Sequence, residues 1–106
     1  MKQENEILSK ANLTQTRLSD ANWSSENLSG ANLTQADLNN INLCNANLKE
    51  AILDDAFLCQ AELSSVDLYK ASLKGANLTE ADINNANLNE ANLSEADLSQ
   101  ANLNVS

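Results

Sequence analysis

Residues 31–40 read Ala31-Asn32-Leu33-Thr34-Gln35-Ala36-Asp37-Leu38-Asn39-Asn40, two copies of one five-residue unit. Each copy is Ala, then Asn or Asp, then Leu, then two polar residues. Followed outward in both directions, Leu recurs at 8, 13, 18, 28, 33, 38, 43, 48, 53, 58, 63, 68, 73, 78, 88, 93, 98 and 103, and Trp23 and Ile83 fill the two gaps. The register does not slip between Glu6 and Val105. Ala stands two positions before the central residue in 15 of 20 repeats, and Asn or Asp stands between them in 14 of 20, so three positions share one period. No linker or shift of composition interrupts it. The chain is therefore read as a single domain over 1–106, with repeats at 6–105 and a polar N-terminal extension at 1–5.

A period of five suits neither standard element. On an α-helix, five residues advance the direction by about 140°, which scatters the leucines around the cylinder and leaves no face to bury. On a straight strand, residues five apart point to opposite sides. Within one repeat, however, Ala and Leu are two apart and share a side. The two facts are compatible if the chain turns a corner once per repeat, so that each short extended piece presents its Ala and Leu inward. The corners fall on the positions rich in Asn, Ser, Thr, Asp and Gly, which are turn formers. The outcome is a coil closed by its own side chains.

The run of units such as Ala31-Asn32-Leu33, Ala36-Asp37-Leu38 and Ala96-Asp97-Leu98 resembles the pentapeptide-repeat family over nearly the whole chain. The resemblance implies an all-β fold, a right-handed quadrilateral parallel β-helix with four repeats per coil and about five coils. Residues twenty apart would then stack into inward ladders, such as Leu8, Leu28, Leu48, Leu68 and Leu88, or Trp23, Leu43, Leu63, Ile83 and Leu103. At roughly 4.8 Å per coil the solenoid would be about 24 Å long.

Composition narrows function. The formal net charge of −9 opposes direct binding to nucleic acid or to an anionic membrane, both of which rely on clustered Lys and Arg. No stretch has the apolar length of a membrane span. Cys44 and Cys59 are too few for a disulfide framework and fit free thiols in a reducing compartment, so a cytoplasmic location is expected. Without any His, a Ser-His or Cys-His nucleophile pair cannot be built. The two cysteines lack zinc-ligand spacing, and Asp54-Asp55 lacks the glycines of a calcium loop. No catalytic, cofactor or metal residue is assigned, and the chain is read as not an enzyme.

Departures from the repeat mark the candidate sites. In the middle coil, Ile52, Phe57 and Glu62 replace the usual Asn or Asp, with Asp54, Asp55 and Cys59 beside them. Ile52, Phe57, Asp54 and Asp55 are the candidate partner-binding residues. Glu6 and Glu26 stand at inward, Ala-type positions; Glu6 is expected in solvent and Glu26 beside water or a hydrogen-bond donor, since an unpaired buried carboxylate is costly. Trp23 is read as a plug near the N-terminal end. Tyr69, Lys49, Lys70 and Lys74 form the one basic cluster, read as solvated surface. Leu88, Leu93, Leu98 and Leu103 belong to the most regular coil, and their uncovered sides are the candidate surface for weak homodimerisation through the C-terminal end, opposed by Glu90, Glu95 and Asp97 on its rim.

The function expected from these readings is non-catalytic: a scaffold that offers flat polar faces to a protein partner. An alternative follows from the resemblance, because some members act as acidic DNA mimics on type II topoisomerases such as gyrase. About 24 Å of duplex carries about fourteen charges, so a net charge of −9 falls short by about a third.

Overall fold

A computed structural model describes residues 8–104; Glu6, the extension at 1–5 and the end of the last repeat lie outside the described residues. From Ser9 onward the backbone alternates single-residue parallel bridges with two-residue turns, once per repeat, and contains no helix. Every bridge joins residues twenty apart: Asn12 to Asn32, Asn32 to Ile52, Ile52 to Ser72 and Ser72 to Asn92 along one side, with three equivalent columns beginning at Arg17, Asn22 and Asn27. Twenty residues are four repeats, so each coil has four sides.

The corners explain why the period is five. In each, the carbonyl of the central residue accepts the amide three positions on, as in Ala36 N to Leu33 O at 3.0 Å. The second corner residue is left-handed at all nineteen corners from Lys10 to Gln100, with φ between 57° and 71°. A hydrogen-bonded turn with positive φ only at its second central residue is type II. Glycine is the cheapest occupant, yet seventeen of the nineteen are other residues, Gly30 and Gly75 being the exceptions. A left-handed L-residue costs roughly 1–2 kcal/mol. From Lys10 to Asn85, what offsets the strain is a bond made by that same residue to the next coil, as in Gln35 N to Asp54 O at 2.9 Å.

Following the five amides of one repeat accounts for the rest of the motif. The Ala amide closes the turn. The Asn or Asp amide reaches the Ala carbonyl one coil back, as in Asn42 N to Ala21 O at 2.9 Å, and the Leu amide reaches one coil ahead, as in Leu43 N to Glu62 O at 2.8 Å. The second corner amide also reaches ahead. That leaves the first corner amide, which bonds to the side-chain Oδ1 of the Asn or Asp two positions earlier: Thr34 N to Asn32 at 3.1 Å, Cys44 N to Asn42 at 3.0 Å, Thr79 N to Asn77 at 3.1 Å. The middle residue of the motif is thus the acceptor that completes the repeat. In two of the repeats where it is replaced, a neighbour in the previous coil takes over: Asn39 accepts from Cys59 in the repeat of Phe57, and Asp54 accepts from Lys74 in the repeat of Ser72.

Inside the coil, the Ala-type and central positions are buried from Leu28 to Ile83, and no polar residue shares that core among the described residues. A buried Leu contributes roughly 1.5–3 kcal/mol, so the three middle coils carry most of the apolar stabilisation. Toward the ends burial falls: Leu13, Leu18 and Trp23 at one end and Leu88, Leu93 and Leu98 at the other are half-buried against the core. Thr16, at an Ala-type position, directs its hydroxyl to the Leu13 carbonyl at 2.8 Å.

Glu26 is half-buried at its Ala-type position. Its Oε1 is buried and has no hydrogen-bond partner among the described residues. The reason lies in the ladder it occupies: the positions stacked above it are Ala46 and Val66, which carry no donor. Glu26→Ala should therefore raise stability by about 1–3 kcal/mol, because it removes an unsatisfied polar group and installs the usual residue. Asn42→Ala should lower it by about 1 kcal/mol, by orphaning the Cys44 amide. Denaturant titration of both variants checks the pair; a loss on Glu26→Ala would show that its carboxylate has a partner.

Candidate functional site

The corner after Leu53 brings the four candidate partner-binding residues together. Ile52 lies on one face and Phe57 on the next, with Asp54 and Asp55 as the two corner residues between them. Ile52 is 37% exposed and Phe57 49% exposed; with Leu103 they are the large apolar side chains that the described surface presents. Both occupy the outward, bridging position, so their exposure follows from the same backbone geometry that buries Leu53 and Leu58.

The two carboxylates differ. Asp54 is half-buried and serves the frame: its Oδ1 accepts the Ser72 hydroxyl and, at 3.1 Å, the Lys74 amide. Asp55 is exposed, in the left-handed corner position at φ 58°. A Cβ on Gly75, one coil above, would come within 2.5 Å of the Asp55 carboxylate, so glycine at that corner leaves the room the carboxylate occupies. The corner thus presents two apolar side chains around one free negative charge.

The remaining candidates lie apart from this corner. Lys49 pairs with Asp67 at 3.7 Å, while Lys70 lies 5.3 Å from the Tyr69 ring centre and 4.0 Å from Glu90, so two of the three lysines of the basic cluster are engaged by their own neighbours. Cys44 and Cys59 are free thiols on adjacent faces, and the Ser64 hydroxyl lies 3.3 Å from Cys44 Sγ. Leu88, Leu93 and Leu98 are half-buried and Leu103 is 41% exposed, so the candidate self-association residues are less covered than the middle ladders. On its rim, the Ser99 hydroxyl at 2.5 Å, the Ser99 amide at 3.0 Å and the Thr79 side chain hold the Asp97 carboxyl below its ordinary range. That interaction favours the fold above the unfolded pKa and is lost as pH falls through the lowered one. Among the described residues no group of three or more His, Cys, Asp or Glu could hold a metal ion, and no helix is long and apolar enough to cross a membrane.

What sequence reasoning missed was the double use of Asx side chains. The substitutions at 52 and 57 were visible signals, but only coil stacking reveals that Asn39 compensates for Phe57 and Asp54 for Ser72.

A four-sided parallel coil with single-residue bridges twenty apart defines the class: a quadrilateral β-helix. The pentapeptide-repeat family model matches residues 7–43, 27–64, 45–79 and 71–104, and the chain belongs to that family. Its fold is accordingly the right-handed quadrilateral β-helix. The chain is similar to the crystal structure of HetL from the cyanobacterium Nostoc sp. strain PCC 7120, at 39% identity and a TM-score of 0.87 over 88% of this chain. It spans only 39% of the length of HetL. Rfr23 from the cyanobacterium Cyanothece 51142 is 28% identical, with a TM-score of 0.53 over 99% of this chain and 98% of that one. A pentapeptide repeat protein from the Arabidopsis thaliana thylakoid lumen shares the fold at 24% identity and a TM-score of 0.59, over 89% of this chain and 69% of that one. No curated protein matches the chain. Pentapeptide-repeat proteins are generally non-catalytic.

The Ile52→Asn, Phe57→Asn double variant should fold with a thermal midpoint within a few degrees of the parent, since both residues point outward and Asn is the usual occupant. Calorimetry checks this. A loss of several kcal/mol would show that the two side chains belong to the core.

Proposed function

We propose that this protein is a non-catalytic interaction module whose partner docks on the corner formed by Ile52, Asp55 and Phe57. The observation that carries the reading is that two large apolar side chains stand exposed on either side of one free carboxylate, on a frame that holds them in place. Exposed apolar groups with a charged neighbour suit a partner segment carrying an apolar residue beside Lys or Arg. Asp54 fixes the corner from beneath.

The similarity to HetL, described as involved in heterocyst differentiation regulation, supports a role exerted through protein contacts rather than chemistry. The distribution of carboxylates favours this reading over DNA mimicry. A mimic needs a continuous acidic stripe, whereas the column Arg17, Asp37, Phe57, Asn77, Asp97 is interrupted, as is Asp20, Asn40, Gln60, Glu80, Gln100. The free thiols fit a reducing, cytoplasmic setting.

The test is affinity capture from a cyanobacterial extract, with the parent protein, the Ile52→Asn, Phe57→Asn variant and an Asp55→Asn variant as baits in parallel. A partner retained by the parent, lost from the double variant and weakened by Asp55→Asn supports the corner. A partner retained equally by all three baits contradicts it.

A further inference from the structure

The two apolar side chains of the corner stand in unlike electrical surroundings. The column of Ile52 carries no charge, since Asn12, Asn32, Ser72 and Asn92 complete it. Its edges bring both signs, with Lys70 and Lys74 one coil ahead against Glu50 and Asp54 in the coil of Ile52 itself. The face of Phe57 is acidic. Asp37 is bridged directly to Phe57 from one coil back, Asp55 is the corner residue that leads onto the face, and Glu80 stands on its far edge one coil ahead. Arg17, the cation of that column, stacks on the side of Asp37 away from Phe57. Two coils at about 4.8 Å each put it roughly 9.6 Å along the column from Phe57, beyond the Debye length of about 8 Å in physiological salt. At short range, then, Phe57 meets carboxylates.

The aromatic rings show the same contrast. The half-buried Tyr69 has its cation from its own chain, Lys70 Nζ at 5.3 Å from the ring centre. Phe57 is 49% exposed, and among the described residues no Lys or Arg lies over its ring. A ring face attracts a cation, and carboxylates beside it add to the attraction. Among the described residues no ion pair engages Asp37 or Asp55. Asp37 spends only Oδ1 on the frame, accepting the Asn39 amide at 3.2 Å, and Asp55 is exposed over the space that Gly75 leaves. A guanidinium suits this arrangement better than an ammonium. Its flat face stacks on a ring while the N–H groups in its plane reach carboxylates at the edge, whereas an ammonium is a compact, strongly hydrated point charge.

We propose that Phe57, Asp37 and Asp55 form a recognition site for an arginine of the partner, its guanidinium on the Phe57 ring and its N–H groups toward the two carboxylates, while the partner's apolar residue falls on Ile52. The inference rests on the reading of the corner as the docking surface and gives that surface a direction. The partner's basic residue belongs on the face of Asp37, and its apolar residue belongs across the corner on the uncharged column.

The probe is N-acetylargininamide, titrated into the isotope-labelled full chain at fixed ionic strength and followed by amide chemical shifts. N-acetyllysinamide and the uncharged N-acetylcitrullinamide serve as comparisons. The arginine compound should give saturable shifts at Asp37, Asp55, Phe57 and Asn77, bind at least about threefold more tightly than the lysine compound, and find no counterpart in citrulline. Phe57→Leu keeps an apolar side chain but removes the ring, so it should weaken argininamide about threefold or more and abolish the preference over lysine. Asp55→Asn should weaken it similarly. Asp82→Asn, which removes a carboxylate from the next face and keeps the turn acceptor, should leave it unchanged. Three results overturn the proposal: no saturable binding within the soluble range of the probe, shifts as large around Glu62 and Asp82 as around Phe57, or a folded Phe57→Leu variant that binds like the parent. Should Phe57→Leu fail to fold, Asp55→Asn and the three probes on the parent still decide the matter. The corner reading fails separately. A probe that ignores Phe57 while the Ile52→Asn, Phe57→Asn bait loses its captured partner contradicts the arginine site and keeps the corner, whereas a probe seated on Phe57 with capture equal on all baits supports the ring as a cation site and contradicts docking there.

Discussion

Everything in this structure depends on one register, the stacking of each residue on the residue twenty positions later. A single-residue bridge is too small to be stable alone, and a non-glycine left-handed corner is unfavourable by itself. Repeated on four sides over five coils, the bridges supply the hydrogen bonds that hold the corners, and the corners set the spacing that keeps the bridges aligned. Neither element precedes the other. The Leu and Ala ladders add the apolar term, and the strict period of five in the sequence is what keeps all of these in phase.

The same constraint separates frame from surface. Inward positions admit little beyond Ala, Leu and close substitutes, and the cost of breaking that rule is visible at Glu26, whose Oε1 is buried without a partner among the described residues. Outward bridging positions are freer, but their usual Asn or Asp is not decoration, since its Oδ1 satisfies the first corner amide. Ile52 and Phe57 give up that acceptor. Asn39 restores it for the repeat of Phe57, which leaves the ring free to face solvent. A compensated departure of this kind is how a repetitive frame acquires one distinct corner, and it is the physical basis for reading that corner as a contact surface.

Much of this was legible from the residues. The period of five excluded helix and straight strand, the Ala and Leu spacing put both inside, and the outward placement of Ile52 and Phe57 followed. The four-sidedness came from family resemblance, because the angle of each corner is set by backbone dihedrals on which residues such as Gln35, Asn40 and Lys70 give no hint; all adopt positive φ without the glycine that usually announces it. The surroundings of Glu26 were not legible for a related reason. Whether a donor reaches it depends on what stacks one coil above, and Ala46 offers none. The split between Asp54 as a frame residue and Asp55 as a free charge likewise required three-dimensional neighbours, Ser72, Lys74 and Gly75.

The register itself can be measured without reference to any partner. In an isotope-labelled sample, nuclear Overhauser contacts between backbone protons of bridged residues should connect Asn42 with Glu62 and Glu62 with Asp82, and likewise the members of the other three columns. The account predicts a complete set of contacts at a separation of twenty. Contacts at fifteen or twenty-five would mean three- or five-sided coils, and would contradict both the hydrogen-bond scheme and the corner formed by Ile52, Asp55 and Phe57.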